Sequence, residues 1–310
     1  MQNIPQISAR DVNKKLNWTL IANAIEAGHH MKKAIIGDTF INRGADTLLS
    51  RSAWIDGVGF GVKSVSVMPN NAQYDLPSIH GAMLIFDDKT GIPIALIDSD
   101  LVTKWKTAGD SVLGARMLAR PDSKSLLIVG AGSVAENLIL AYSEIFPYLR
   151  HISIWNRTQS HAEQLAHNLK RQGFNIKIEV DLPKAVSNAD IISTATMAHE
   201  PILFGDWVKA GTHIDLIGAF KADMREADDD LLKKARIFVD SRDTTIEHIG
   251  ELMIPLRNCI ISKNDILGDF YDLVKNTNGR LSSTDITLFK NGGGAHLDLM
   301  TAMTILDNLV

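Results

Sequence analysis

The segment Ser125-Leu126-Leu127-Ile128-Val129-Gly130-Ala131-Gly132-Ser133-Val134-Ala135 constrains this chain more than any other. A short apolar run bounded by turn residues reads as a buried parallel strand. G-x-G-x-x-A follows it and opens a helical pattern. Gly130 and Gly132 let the backbone turn tightly and approach a pyrophosphate, which rests on the helix N-terminus. Gly130, Gly132, Ser133, Val134 and Ala135 are therefore expected to cradle a dinucleotide. A plain tight turn would also use glycine, but a second strand follows at His151–Trp155, the context that the dinucleotide reading requires.

The end of that second strand selects the nucleotide. An NAD binder usually places Asp or Glu there to hold the ribose 2′-hydroxyl. This chain has Asn156-Arg157-Thr158. Asn156 carries no charge to repel a phosphate, Arg157 offers a cationic fork, and Thr158 adds a hydroxyl donor. The trio fits a 2′-phosphate, so NADPH is the expected cofactor and NADH a weaker one. A surface arginine after a strand is the plainer alternative.

The bulk numbers exclude several classes. The 310 residues allow one large or two ordinary domains. A net charge of −4, from 32 basic and 36 acidic residues, argues against a nucleic-acid partner. The single cysteine, Cys259, forms no internal disulfide and reads as a small buried hydrophobe. No signal-like leader and no membrane-long apolar run is present in the sequence, so a cytoplasmic protein away from membranes is expected. The histidines show no metal-ligand spacing, and no metal is expected.

Strand and helix signals alternate from about Ser125 to Asp240, which implies a doubly wound parallel sheet of Rossmann type. Strands are expected at Leu126–Val129, Ile152–Trp155, Ile176–Glu179, Ile191–Thr194, His213–Leu216 and Ile237–Val239. Helices are expected at Ser160–Gln172 and Asp228–Ala235. In the first part, Phe60–Met68, Ala82–Phe86 and Ile94–Asp98 read as strands, with a hairpin turn at Asp87–Gly91. Leu101–Arg120 reads as a helix. A last helix, 295–310, is expected to pack on the N-terminal part. The fold class is α/β, a Rossmann sheet plus a discontinuous α+β domain. The expected division is 121–289 for the NADP(H)-binding domain, and 1–120 with 290–310 for a second domain. Thr194-Ala195-Thr196 ends the fourth strand of the sheet, where the nicotinamide half of the cofactor normally passes.

These pieces resemble the ornithine cyclodeaminase/μ-crystallin family. The resemblance rests on Gly61-Val62-Lys63, Leu76-Pro77 with His80-Gly81, and Phe86-Asp87 through Thr90-Gly91 to Ala95-Leu96-Ile97-Asp98. It continues through Thr103, Thr107-Ala108, the glycine loop, and Phe289-Lys290 through Gly293 to Asp298. It implies a homodimer and assigns substrate binding and dimerisation to the second domain, with Arg51, Lys63 and Lys106 as the cations that bind a substrate carboxylate. Lys106 stands where the family has arginine, which loses the bidentate fork. The resemblance also implies a loop over the nicotinamide at Asn291-Gly292-Gly293. It implies another at the fifth-strand loop, Gly218-Ala219-Phe220. Cyclodeaminases of the family carry Asp at the position of Phe220. A phenyl ring cannot take a proton, so the resemblance points to the reductase branch instead.

The implied activity is NADPH-dependent reduction of Δ1-pyrroline-2-carboxylate, with Δ1-piperideine-2-carboxylate as a second substrate, giving L-proline and L-pipecolate. Arg51 and Lys106 read equally well as solvated surface charges. Lys63 sits in an apolar strand pattern, where a free charge is costly. His80 is the candidate to donate to the imine nitrogen, since its pKa suits neutral pH; a histidine packed at a strand start is the alternative. An amino-acid dehydrogenase acting on a 2-oxo acid would need the same cations. A non-catalytic NADPH-binding protein of μ-crystallin type is the third reading.

Overall fold

The computed structural model describes residues 4–12, 15–275 and 279–309. The chain forms two compact units, Met1–Gly109 with Gly294–Val310, and Asp110–Gly293. The divisions fall inside one helix and between two glycines. They differ from the expected 120/121 and 289/290, since an unbroken helical pattern over 101–120 gives no sign of a change of unit.

The first unit is built on a six-stranded mixed sheet in the order β1-β6-β5-β4-β3-β2. Its strands are β1 (Gln6–Ile7), β2 (Ile35–Arg43), β3 (Asp46–Ile55), β4 (Gly59–Val67), β5 (Ile79–Phe86) and β6 (Pro93–Asp98). β2 to β6 form an antiparallel meander, and β1 joins β6 in parallel. The turn expected at Asp87–Gly91 is present. The Asp87 carboxylate accepts from the Thr90 amide at 2.8 Å and from its hydroxyl at 2.5 Å, and so reinforces the backbone bonds from Asp87 to Ile92 (2.9 Å) and from Gly91 to Asp87 (3.0 Å) that close the reversal.

Alternation sorts this sheet into two faces. One face carries Ala53 and Ile55, Gly59 and Gly61, Met83 and Ile85, and Ala95 and Ile97, all buried. Helix α1 (Trp18–His29) buries Trp18, Ile21, Ala22 and Ile25. The C-terminal helix, Ala295–Asp307, packs on α1 and on β2 to β5. The last residue of the expected helix, Val310, lies outside the described residues. The other face of the sheet carries a stack of Trp54, Phe60 and Phe86. It leaves Ile35, Ile41 and Leu48 exposed. Helix α2 (Ser99–Leu118) follows β6.

The second unit is an eight-stranded, all-parallel sheet in the order β13-β12-β14-β11-β10-β7-β8-β9. The strands are β7 (Ser125–Val129), β8 (His151–Trp155), β9 (Ile176–Ile178), β10 (Ile191–Thr194), β11 (His213–Leu216), β12 (Arg236–Val239), β13 (Ile266–Gly268) and β14 (Thr287–Lys290). The connecting helices are α3 (Ser133–Ile145), α4 (Gln159–Lys170), α5 (Leu182–Asn188), α6 (Asp229–Lys234), α7 (Arg242–Thr245), α8 (Gly250–Arg257) and α9 (Phe270–Leu273). The strand order reverses between β7 and β10, which marks the crevice where such sheets bind ligands. Cys259 is exposed rather than buried and has φ +56. It follows the end of α8, where the chain leaves the helix through a left-handed residue.

Gly130 follows β7 with φ +123, and a Cβ there would lie 2.5 Å from the Ala195 carbonyl oxygen. No side chain fits, because the neighbouring atom is backbone of the next strand's loop. Gly130→Ala is expected to destabilise the protein by about 2–4 kcal/mol, the sum of a strained φ and an overpacked contact. Urea unfolding measures it, and a loss below about 1 kcal/mol would contradict the packing argument.

Candidate active site

Within the second unit, the loop after β7 ends in Gly132, the N-cap of the 13-residue helix α3. A glycine has no side chain to cap the first-turn amides. A Cβ built on Gly132 meets nothing within 4 Å, and Gly132 and Ser133 are exposed while Ala135 is fully buried. An open, uncapped helix N-terminus of this kind fits a pyrophosphate. Ala135 instead packs the helix close to the sheet, the part that the last small residue of such a loop plays.

Beyond β8, the Asn156 side-chain amide donates to the Thr158 carbonyl oxygen at 2.8 Å. That bond closes the turn that carries Arg157, which is exposed together with Thr158. Asn156 is thus committed to shaping the loop.

The loops after β10 and β11 meet on one carboxylate. Glu226 is fully buried and accepts from the hydroxyl of Thr194 (2.7 Å), from the amide and hydroxyl of Thr196 (2.9 and 2.7 Å), and from the amide of Gly218 (2.7 Å). Thr194 was expected to touch a cofactor. Its side chain is fully buried and spent on Glu226, so it supports the loop instead. Ala195 and Thr196 are partly exposed, and Phe220 is 52% exposed with the Lys221 ammonium 5.5 Å from its ring. Asp240 accepts from the amides of Gly292 and Gly293. The Lys290 ammonium, fully buried, donates to the carbonyls of Leu216 and Asn291, each at 2.8 Å. Burial and the nearby Glu226 push the Glu251 carboxyl up to about 7, against the pull of Lys290.

The first unit holds a second constellation. β2, β3, β4 and β5 align Asp38, Arg51, Lys63 and Met83 in one row on the buried face of the sheet. Lys63 is 7% exposed, and its ammonium donates to Asp298 of the C-terminal helix at 2.7 Å and to the Thr103 hydroxyl at 3.5 Å. Arg51 is half-buried and donates twice to Asp38, at 3.0 and 2.8 Å. Lys106, on α2, is also 7% exposed. Burial holds Lys63 below the ordinary lysine range, with Lys106 and Arg51 adding to that push and Asp298 opposing it. Burial, together with the charges of His29, Lys106, Arg51 and Lys33, keeps His296 well below the usual histidine range. The structure thus gathers Arg51, Lys63 and Lys106, and removes the surface reading of both lysines.

His80 is not part of this group. It is exposed and pairs with Ser66, three residues along β5 from Met83, which pairs with Lys63. An odd offset along a regular strand puts its side chain on the opposite face of the sheet from Lys63. Asp298 and Lys290, quoted in the resemblance without a role of their own, also carried a usable local signal: charges embedded in the apolar runs AHLDLM and TLFK. Glu226 was legible only as the end of Met224-Arg225-Glu226, a stretch that resembles the reductase branch of the family, with no role attached; Asp240 carried no signal, because its partners lie elsewhere in the sequence.

Glycine loop, strand reversal and uncapped helix define a dinucleotide-binding α/β protein whose other unit buries a group of cations. The chain belongs to the ornithine cyclodeaminase/mu-crystallin family, whose model matches residues 52–310. It is 50% identical over 300 residues to a Delta(1)-pyrroline-2-carboxylate reductase of Paracoccus denitrificans, covering 96% of this chain and 95% of that protein. It is 34% identical over 246 residues to the ketimine reductase mu-crystallin of Rattus norvegicus, covering 79% of this chain and 75% of that protein. The structure of Thermococcus litoralis Delta(1)-pyrroline-2-carboxylate reductase in complex with NADH and L-proline superposes with a TM-score of 0.91. It is 28% identical and covers 98% of this chain and 97% of that one.

Removing one partner of a buried ion pair strands the other. Lys63→Met is therefore expected to cost about 3–5 kcal/mol of stability, and adding Asp298→Leu to recover part of that loss. Urea unfolding of the two single variants, the double variant and the parent forms the cycle. Strictly additive losses would show that the two groups do not interact.

Proposed function

We propose that this protein reduces Δ1-pyrroline-2-carboxylate to L-proline with NADPH, and the six-membered Δ1-piperideine-2-carboxylate to L-pipecolate. It is an NAD(P)H-dependent oxidoreductase acting on C=N bonds. The observation that carries the finer reading is Lys63: a lysine buried among Gly, Ala, Ile and Met, beside Lys106 and Arg51. Such a grouping of cations matches the carboxylate beside the C=N bond of a cyclic imino acid. The nearly full-length likeness to a pyrroline-2-carboxylate reductase supports the same substrate.

In this reading Gly130, Gly132, Ser133 and Val134 hold the pyrophosphate, and Ala195, Thr196, Gly218, Phe220 and Gly293 approach the nicotinamide half. Arg157 and Thr158 hold the 2′-phosphate. The bound cofactor supplies the hydride. Lys63, Lys106 and Arg51 fix the substrate by its carboxylate, which sets the face and distance of the imine carbon and so contributes the orientation part of the rate. The iminium arrives protonated, so its carbon is electrophilic without a dedicated acid. Phe220, an exposed ring on the loop after β11, excludes water. A second copy of the chain covers Ile35, Ile41 and Leu48 on the open face of the first unit's sheet, giving a homodimer. The protein then works in the cytoplasm in proline metabolism.

NADPH oxidation on mixing with Δ1-pyrroline-2-carboxylate, with L-proline as product, tests the proposal. Pyruvate with ammonia turning over faster would favour the amino-acid dehydrogenase. Tight NADPH binding without turnover would favour a binding protein. Arg157→Ala is expected to weaken NADPH roughly 10- to 100-fold and NADH little, since it removes one charge-assisted contact. Equal losses for both cofactors would make Arg157 structural.

The Phe220 side chain separates this activity from cyclodeamination. Ornithine is expected to give no proline with either NAD or NADP, because expulsion of ammonia needs proton transfers that a phenyl ring cannot perform. Phe220→Asp is expected to slow imine reduction, by placing an anion where the substrate carboxylate must approach. Proline formed from ornithine by the unmodified protein contradicts this reading.

A further inference from the structure

Glu226 gathers four donors from two loops that are 24 residues apart from Thr194 to Gly218. Each oxygen takes two. Oε1 accepts the amide and hydroxyl of Thr196, and Oε2 accepts the hydroxyl of Thr194 and the amide of Gly218. The loops are drawn so closely together that a Cβ on Gly218 would lie 2.2 Å from the Thr196 carbonyl oxygen and 2.3 Å from Glu226 Oε1. Glu226 is itself held from behind. The Glu251 carboxylate accepts from the Glu226 amide at 2.8 Å and from the Ala227 amide at 2.9 Å. The Glu226 carbonyl accepts from Ile202 and Leu203, both at 2.9 Å. A carboxylate so placed fixes the separation of Ala195–Thr196 from Gly218–Phe220.

We propose that Glu226 is a positioning residue for the nicotinamide end of the cofactor: it locks the loops after β10 and β11 at the spacing that the ring requires. The inference rests on the reading that this unit binds NADPH. It separates the two ends of the dinucleotide. Gly132 and Arg157 lie on the loops after β7 and β8, and neither is among the donors that Glu226 accepts. The adenylate end is therefore held independently of Glu226.

The chemistry supplies a sharp variant. Glu226→Gln keeps the shape but turns one oxygen into a donor. Hydroxyls can rotate to accept from it, but backbone amides cannot. Each oxygen of Glu226 takes one backbone amide, from Thr196 or from Gly218, so either orientation of the carboxamide sets a donor against a donor. One loop must give way.

Calorimetric titration with NADPH and with adenosine 2′,5′-bisphosphate, which carries only the adenylate end, tests the assignment. Glu226→Gln is expected to weaken NADPH about tenfold while the bisphosphate stays within about twofold of the parent, since one or two buried hydrogen bonds are lost at one end only. Thr196→Val, which removes one hydroxyl, is expected to shift NADPH in the same direction by less. Thr196→Ser is expected to restore parental binding. Should Glu226→Gln fail to fold, the two Thr196 variants carry the comparison. Equal weakening of both ligands, or of neither, overturns the assignment while leaving the reading that this unit binds NADPH in place. A parent protein that binds neither ligand overturns the reading beneath it.

Discussion

One buried ammonium holds the carboxyl edge of the parallel sheet together. Lys290, the last residue of β14, is fully enclosed and donates to two carbonyls, at the end of β11 and just past its own strand. Four carboxylates, those of Glu251, Glu226, Asp240 and Asp215, act on it electrostatically. Each of the four has work of its own. Glu226 ties two loops, Asp240 holds the amides of Gly292 and Gly293, Glu251 anchors the segment carrying Glu226, and Asp215 accepts from Ser111, Tyr142 and Ser193. So many carboxylates could not share an apolar interior without a cation, because each unpaired charge there is expensive. Even with Lys290 present, desolvation pushes Asp215 up to about 6 and Glu251 to about 7.

The first unit uses the same device with the signs reversed. Lys63, Lys106 and Arg51 stand near one another, and Asp298 and Asp38 answer two of them. Met and Leu in place of Lys63 and Asp298 would pack without any desolvation cost, and exchanges of that sort are often neutral or stabilising. Ions retained at such a cost are consistent with a unit arranged to receive an anion. The pairing of Lys63 with Asp298 also fixes where the ammonium points, so little further ordering is needed when a carboxylate arrives.

What the sequence disclosed follows from burial. β7 and β12 are buried along nearly their whole length and read as short apolar runs, whereas β8 (HISIW), β10 (IIST) and β11 (HIDL) set polar residues among apolar ones. β2 was invisible because Ile35–Arg43 is exposed along almost its whole length, so its apolar residues follow no clear alternation. β14 was hidden by its four-residue length and its terminal lysine. Lys63 was legible as a charge in an apolar pattern, and Arg157 as a cation where an acid usually stands. The misplacement of His80 had a different origin. Which face a strand residue occupies depends on pairing register, and register is fixed by partner strands rather than by the local segment. The role of Glu226 was unreadable for a related reason: it lies wholly in donors contributed by distant loops.

The arrangement suits a reaction that asks for orientation more than for proton transfer. Reduction of a preformed iminium needs a hydride donor, an electrophilic carbon, and a fixed distance between them. Groups that hold things still supply the third requirement. Those present here are an uncapped helix N-terminus, loops tied at their backbones, and cations that are themselves paired. A general acid or base must remain free to gain and lose a proton near neutral pH. The residues around the cations are poorly suited to that: His296 is held neutral by burial and by its positive neighbours, and Lys63 is engaged by Asp298. Phe220, at the position where the family resemblance implies a carboxylate in cyclodeaminases, offers no proton-transfer group of its own. Reduction of a preformed iminium asks little of a proton-transfer group, because the substrate proposed for this chain arrives with the proton already in place.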